Sequence, residues 1–217
     1  FYESHSGRIA NNFVHTLNYR GLPDTFYLDP SLAYDLEIHT IPKVVRKNYK
    51  PIAGQHNTLA VDAPQGKLNL VVDGITNYNN LQALILHPKT NQIVHVQSFN
   101  DIEKYLVGKY DIEILSLPRI RQKEVDIKQS QTTTIQIPQP GKLSIVNRRN
   151  IVGGIFYKKE NKMEQVFSFN GGSSEEIVLQ PGKYFIITRE GANKSTIETK
   201  IQEIQIKSGR LEQIAYY

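Results

Sequence analysis

The chain repeats itself, and no other feature of its sequence constrains the fold as strongly. Tyr34-Asp-Leu-Glu-Ile38 recurs as Tyr110-Asp-Ile-Glu-Ile114, and both run on to a proline four residues later, Pro42 and Pro118. Tyr184-Phe-Ile-Ile-Thr188 is a looser third copy. Each follows a leucine and a turn: Leu28-Asp-Pro-Ser-Leu-Ala33, Leu106-Val-Gly-Lys109 and Leu179-Gln-Pro-Gly-Lys183. Gly54-Gln-His-Asn-Thr-Leu-Ala-Val61 aligns with Ser130-Gln-Thr-Thr-Thr-Ile-Gln-Ile137, and the stretch from Ile206 to Tyr216 fits Ile127 to Ile137 at the same spacing. Pro64-Gln-Gly-Lys-Leu-Asn-Leu70 resembles Pro140-Gly-Lys-Leu-Ser-Ile145. Hairpin-like stretches begin at Phe1, Leu84 and Ile155 and return through Phe13 to Leu17, Val94 to Phe99 and Val166 to Phe169. The tyrosine spacing sets a unit of about 75 residues. Units are expected at 1–61, 62–137 and 138–217. The first lacks an opening Gly-Lys-Leu strand, which an upstream segment or another chain would supply.

Alternation makes these units β. Successive side chains of a strand point to opposite faces. Tyr110, Ile112 and Ile114 share one face, and Asp111 and Glu113 the other. Leu68, Leu70 and Val72 alternate with Lys67, Asn69 and Val71; Thr133, Ile135 and Ile137 alternate with Thr134 and Gln136. Turn residues punctuate the strands at the spacing of a small sandwich. The expected fold is all-β, a tandem array of antiparallel β-sandwich repeats. Pro181 and Gly182 reverse the chain before Tyr184, whose ring enters the core while its hydroxyl reaches back to the backbone, as in the tyrosine corner of Ig-like folds. Only Asn100-Asp-Ile-Glu-Lys-Tyr105 suggests a turn of helix.

Leu179-Gln-Pro-Gly-Lys-Tyr184 and Gln131-Thr-Thr-Thr-Ile135 resemble the signature strands of the small Ig-like or prealbumin-like modules of the carboxypeptidase-regulatory and collagen-binding B-type families. Tyr34-Asp-Leu-Glu-Ile-His-Thr-Ile-Pro42, Ala63-Pro-Gln-Gly-Lys-Leu-Asn-Leu70 and Gln131-Thr-Thr-Thr-Ile-Gln-Ile-Pro138 are similar to repeats that follow a von Willebrand factor A domain in bacterial envelope proteins labelled calcium-activated chloride channel-like. The resemblance implies an extracytoplasmic setting, periplasmic or cell-surface, and a role accessory to an upstream domain. The A domain's metal motif Asp-x-Ser-x-Ser is not matched: Asp29-Pro-Ser-Leu-Ala33 lacks its last serine, so no metal function carries over.

The absence of cysteine removes disulfides, thiol nucleophiles and cysteine zinc sites. The net charge of +5 and pI near 9.2 are a modest basic excess. Nucleic-acid binding would want aromatics among the basic residues on one face. Instead the densest stretches, Lys43 to Lys50 and Arg119 to Lys123, each follow a proline and read as solvated connections. Arg46, Lys47, Arg148 and Arg149 are the candidate binding residues, with the last two at a turn suited to an anion. No run of about 18 apolar residues is present to span a membrane. The chain opens on Phe1-Tyr2 with neither an initiator Met nor a signal peptide, which reads as a mature or trimmed portion of something longer.

The six histidines, His5, His15, His39, His56, His87 and His95, lack metal-ligand spacing and a nucleophile elbow. His5 and His87, and His15 and His95, are placed in correspondence by the repeat, which favours structural roles. Asp35/Glu37 and Asp111/Glu113 put carboxylates on one strand face, half of an acid/base pair but also the pattern of a solvated sheet face, which is preferred. Gly171-Gly-Ser-Ser174 lacks the lysine and helix of a phosphate loop, and Asn193-Lys-Ser195 fits a glycosylation triplet. There is no tryptophan; Tyr2, Tyr19, Tyr78, Tyr157, Tyr216 and Tyr217 are the tyrosines left for a surface. The reading is a non-catalytic structural or protein-interaction region with no cofactor, its partner a protein of the envelope or an upstream domain of the same polypeptide. A carbohydrate-binding module is the alternative, and an enzyme whose site is invisible in sequence the second.

Overall fold

Seventeen strands and no helix form among the described residues. The structure, a computed structural model, describes every residue except 13–16, 18, 23–24, 77, 149–150, 171–173, 191–198 and 217. The strands are β1 (Tyr2–Glu3), β2 (Tyr34–Ile38), β3 (Val44–Tyr49), β4 (Gln65–Val72), β5 (Gln82–Leu86), β6 (Ile93–Ser98), β7 (Ile102–Leu106), β8 (Gly108–Ile114) and β9 (Ile120–Ile127). They continue with β10 (Thr132–Ile137), β11 (Gly141–Asn147), β12 (Ile151–Lys159), β13 (Lys162–Phe169), β14 (Ser174–Leu179), β15 (Gly182–Glu190), β16 (Lys200–Ile206) and β17 (Leu211–Tyr216).

Two seven-stranded sandwiches follow one plan. A three-stranded sheet ordered β10-β4-β7 packs on a four-stranded sheet ordered β6-β5-β8-β9. Further along, β17-β11-β14 packs on β13-β12-β15-β16. The alternating residues do the packing. Leu68, Leu70, Ile135 and Ile137 meet Ile85, Ile112 and Ile114 in one core; Leu143, Ile145 and Ile214 meet Ile155 and Ile186 in the other. Each fully buried side chain of this size contributes about 1.5–3 kcal/mol. Most strand pairs are antiparallel, but the first and last strands of each sandwich pair in parallel, β4 with β10 and β11 with β17. The alternation is the same in either direction, so the sequence is silent on this.

Among the described residues, the first 61 contribute a single sheet, β1-β2-β3. Its register matches the second unit. Tyr34 pairs with Tyr49 as Tyr110 does with Val125, and Ile38 pairs with Val44 as Ile114 does with Ile120. The bridge from Tyr2 to Ile9 corresponds to the pair Leu86–Ile93.

Asn100 to Tyr105 is not helical. Asn100 takes φ 68° in a turn, and the following residues enter β7 beside β4. Tertiary context overrides the local signal: Tyr105 is fully buried, and its hydroxyl donates to Gln97 Oε1 at 2.9 Å.

All three tyrosine corners form. The hydroxyls of Tyr34, Tyr110 and Tyr184 donate to the carbonyls of Asp29 (3.1 Å), Leu106 (2.9 Å) and Gln180 (2.7 Å).

Candidate interaction surfaces

The acidic pairs hold the backbone. Asp111 is buried, and its Oδ1 accepts the Glu124 amide at 2.9 Å while Oδ2 accepts Arg121 Nη2 at 3.1 Å. Glu124 sits at φ 54°, where the register of β8 and β9 slips. Asp35 repeats the arrangement: its Oδ1 accepts the amide of Asn48, at φ 56°, at 2.9 Å, and the Ser4 hydroxyl at 2.5 Å. Each aspartate therefore pins a β-bulge. The third unit carries Phe185 at this position, and there β15 and β16 pair without a slip. The expected solvated face is thus wrong for Asp111, because a carboxylate that accepts the extra amide of a bulge is drawn against the sheet. The sequence signal was available: Asp follows Tyr only in the two units that bulge. The Glu124 amide foremost, and then Arg121, hold the Asp111 carboxyl below its usual range against the opposing effect of burial. Ser4 and Asn48 do the same for Asp35.

The second carboxylate of each pair braces the corner beyond the strand. Glu37 Oε1 accepts Lys43 Nζ at 2.6 Å, and Glu113 Oε1 accepts Arg119 Nη1 at 2.6 Å. The intervening corners match as well, with Thr40 Oγ1 donating to the Pro42 carbonyl and Ser116 Oγ to that of Pro118. Lys43 in turn keeps the Glu37 carboxyl low.

These corners are the joints between units, which the sequence reading missed. Ile41 packs on the core of the second unit, and its carbonyl accepts the Leu106 amide at 2.7 Å. Leu117 packs on the core of the third unit, and its carbonyl accepts the Gln180 amide at 2.8 Å. Leu106 and Gln180 each stand four residues before a corner tyrosine, so the two joints are equivalent. Gln180 adds a bond from Nε2 to the Tyr78 hydroxyl at 2.8 Å. An apolar residue before each proline was the legible signal.

The basic stretches are strands, not connections. Arg46 and Lys47 lie exposed on β3, the edge of its sheet, where Arg46 Nη1 reaches the Ala60 carbonyl at 3.4 Å. Arg121 and Lys123 lie on the edge strand β9. Arg148 is exposed just past β11, and its amide donates to the Tyr216 carbonyl. Arg149 lies outside the described residues, so the candidate pair at that turn is placed only in part.

His5, His39, His56 and His87 are exposed, and His95 is half-buried against the Tyr105 ring. By register His87 corresponds to Glu3, not to His5: the amides of Asn91 and Gly7 donate to the carbonyls of His87 and Glu3 in matching turns. His15, the glycosylation triplet 193–195, Gly171 to Ser173 and Tyr217 lie outside the described residues. Among the described residues no group of His, Asp and Glu could hold a metal ion. No helix among them is long and apolar enough to cross a membrane.

Of the tyrosines expected at the surface, Tyr19 is exposed, whereas Tyr2, Tyr78, Tyr157 and Tyr216 are half-buried; Tyr27 is exposed too. Burial and the Glu164 carboxylate, which accepts the Tyr157 hydroxyl at 2.7 Å, push the Tyr157 pKa up to about 12. A shallow groove of about 600 Å³ runs along the joint between the second and third units, past Pro118, Pro138, Tyr157, Lys158 and Phe185.

No family model matches the sequence. No curated protein matches it either. Among solved structures, the chain is similar to the Bacillus anthracis TIE protein at 14% identity and a TM-score of 0.29; the match covers 80% of this chain and 36% of that one. It is also similar to a Streptococcal ancillary pilin at 9% identity and a TM-score of 0.28, over 88% of this chain and 73% of that one.

Proposed function

We propose that this chain is a non-catalytic structural or protein-interaction segment of a bacterial envelope protein, accessory to an upstream domain of its polypeptide, of von Willebrand factor A type in the proteins its repeats resemble. The observation that carries the reading is the joint. The same corner, Thr40 to Pro42 and Ser116 to Pro118, docks each unit on the next through one apolar side chain and one backbone hydrogen bond. A spacer that presents partners at fixed separations needs such a joint. The carboxylate pairs that could have served chemistry are committed to bulges and corners instead.

Two measurements test it. Solution X-ray scattering of the whole chain is expected to fit one rigid arrangement of units; a profile that demands freely reorienting units would remove the joint as support. Fractionation of source cells with an antibody to the chain is expected to place it outside the cytoplasmic membrane, and recovery from the cytosol alone would end the envelope reading.

A further inference from the structure

Among the described residues, the first unit forms one sheet, where each later unit forms two. Leu36 and Ile38 on β2 correspond by register to Ile112 and Ile114, which are fully buried, yet Leu36 and Ile38 are only half-buried. What covers Ile112 and Ile114 is Leu68 and Leu70 of β4 with Ile135 and Ile137 of β10. Neither buried apolar cluster of the described residues centres on 1–61.

A second observation points the same way. Residues 56–61, His-Asn-Thr-Leu-Ala-Val, correspond to β10. In the two complete units the last strand has one partner, the Gly-Lys-Leu strand, paired in parallel. Among the described residues no such strand lies beside 56–61, and they form no strand themselves. The segment carries the strand pattern but lacks the element that would complete its hydrogen bonds.

We propose that the first unit is an acceptor for an added strand, and that its occupant is an extended Gly-Lys-apolar-polar-apolar segment running parallel to 56–61. The register is set by the two filled units. The occupant's lysine would stand opposite His56, as Lys67 stands opposite Thr132, and its two following apolar residues opposite Asn57 and Leu59. Those two side chains cover Leu36 and Ile38. The glycine is required because the strand enters across the turn before 56–61. In the filled units a Cβ on Gly66 or Gly141 would collide with the Lys128 or Lys207 carbonyl, and Lys128 corresponds to Ile52. This gives the interaction reading a defined face and stands apart from where in the cell the protein resides.

The test adds a synthetic peptide copying Ala63 to Val72 to the whole isotope-labelled chain and follows amide shifts and hydrogen exchange. Saturable shifts at Leu36, Ile38 and 56–61, with slowed exchange at 58–61, are expected. Versions of the peptide with Leu68→Lys and Leu70→Lys, or with Gly66→Val, should bind at least about tenfold weaker. The same peptide fused ahead of Phe1 through a flexible linker guards against weak affinity, and should protect the same amides. Absence of protection in both formats overturns the proposal. So do shifts confined to β3, which would mean edge pairing, or to β4 and β10, which would mean strand exchange in the second unit. Concentration-dependent dimerisation that protects 56–61 without peptide would also overturn it, since a second copy would then be the occupant.

Discussion

At Tyr184 a hydroxyl that burial would otherwise leave costly finds the Gln180 carbonyl 2.7 Å away. Tyr184→Phe keeps the ring and removes this bond, so urea unfolding should show a loss of about 1 kcal/mol. Tyr110→Phe should match it, since the bond to Leu106 is equivalent. The tyrosine corner was readable because ring, turn and spacing lie within a few residues. At Asp111 the Tyr-Asp repeat marks the position but not the burial, because the partners Arg121 and Glu124 belong to the next strand and only the bulge register brings them to it. Its folded pKa lies below the ordinary 3.8. The charged form's stabilisation is therefore complete above about pH 4 and is lost as the pH falls through the lower, folded value. Asp111→Asn retains an acceptor for the Glu124 amide but has no charge to lose. Its stability should change less between about pH 4 and pH 2 than that of the parent chain, as unfolding midpoints across that range would show; parallel curves would remove Asp111 as a source of acid sensitivity.

Strands at the edges of these sheets carry their own protection. β3 presents Arg46 and Lys47 and bulges at Asn48; β9 presents Arg121 and Lys123 and bulges at Glu124. Charge and bulge together discourage another strand from pairing there. Replacing Arg46 and Lys47 with Thr and Val should leave the fold intact and promote self-association, visible as growing mass in light scattering; an unchanged mass would show that the bulge suffices. At the centre of the three-stranded sheet the constraint is space. Gly66 runs against the Lys128 carbonyl, which as backbone cannot swing away. Gly66→Ala should cost about 1–3 kcal/mol by forcing β4 off its neighbour, while Gly54→Ala at an open turn meets no atom and pays only for its positive φ. The basic stretches were expected as loops because the prolines before them look like strand ends. The chain instead turns at Pro42 and Pro118 and returns at once as the next strand.

At the scale of the whole molecule, Ile41 and Leu117 each pack on the core of the unit that follows. Leu117→Ala removes apolar contact from the core of the third unit without touching its strands. The expected cost is about 1–3 kcal/mol, less than for a fully buried leucine, together with a broadened scattering profile as the joint loosens. A stability loss with an unchanged profile would assign the rigidity to other contacts, such as the Gln180–Tyr78 bond and the bond from Gln139 Nε2 to the Ile75 carbonyl.

The repeat period, the faces of the strands and the corner tyrosines were set by the sequence alone, since each rests on neighbours along the chain and on a periodicity of two. Tertiary structure decided the parallel pairing of first and last strands, the burial of Asp111 and the docking of Ile41 and Leu117 on the following unit. These depend on which distant segments meet and in what register, and a backbone hydrogen bond carries no mark in the sequence of the strand that will complete it.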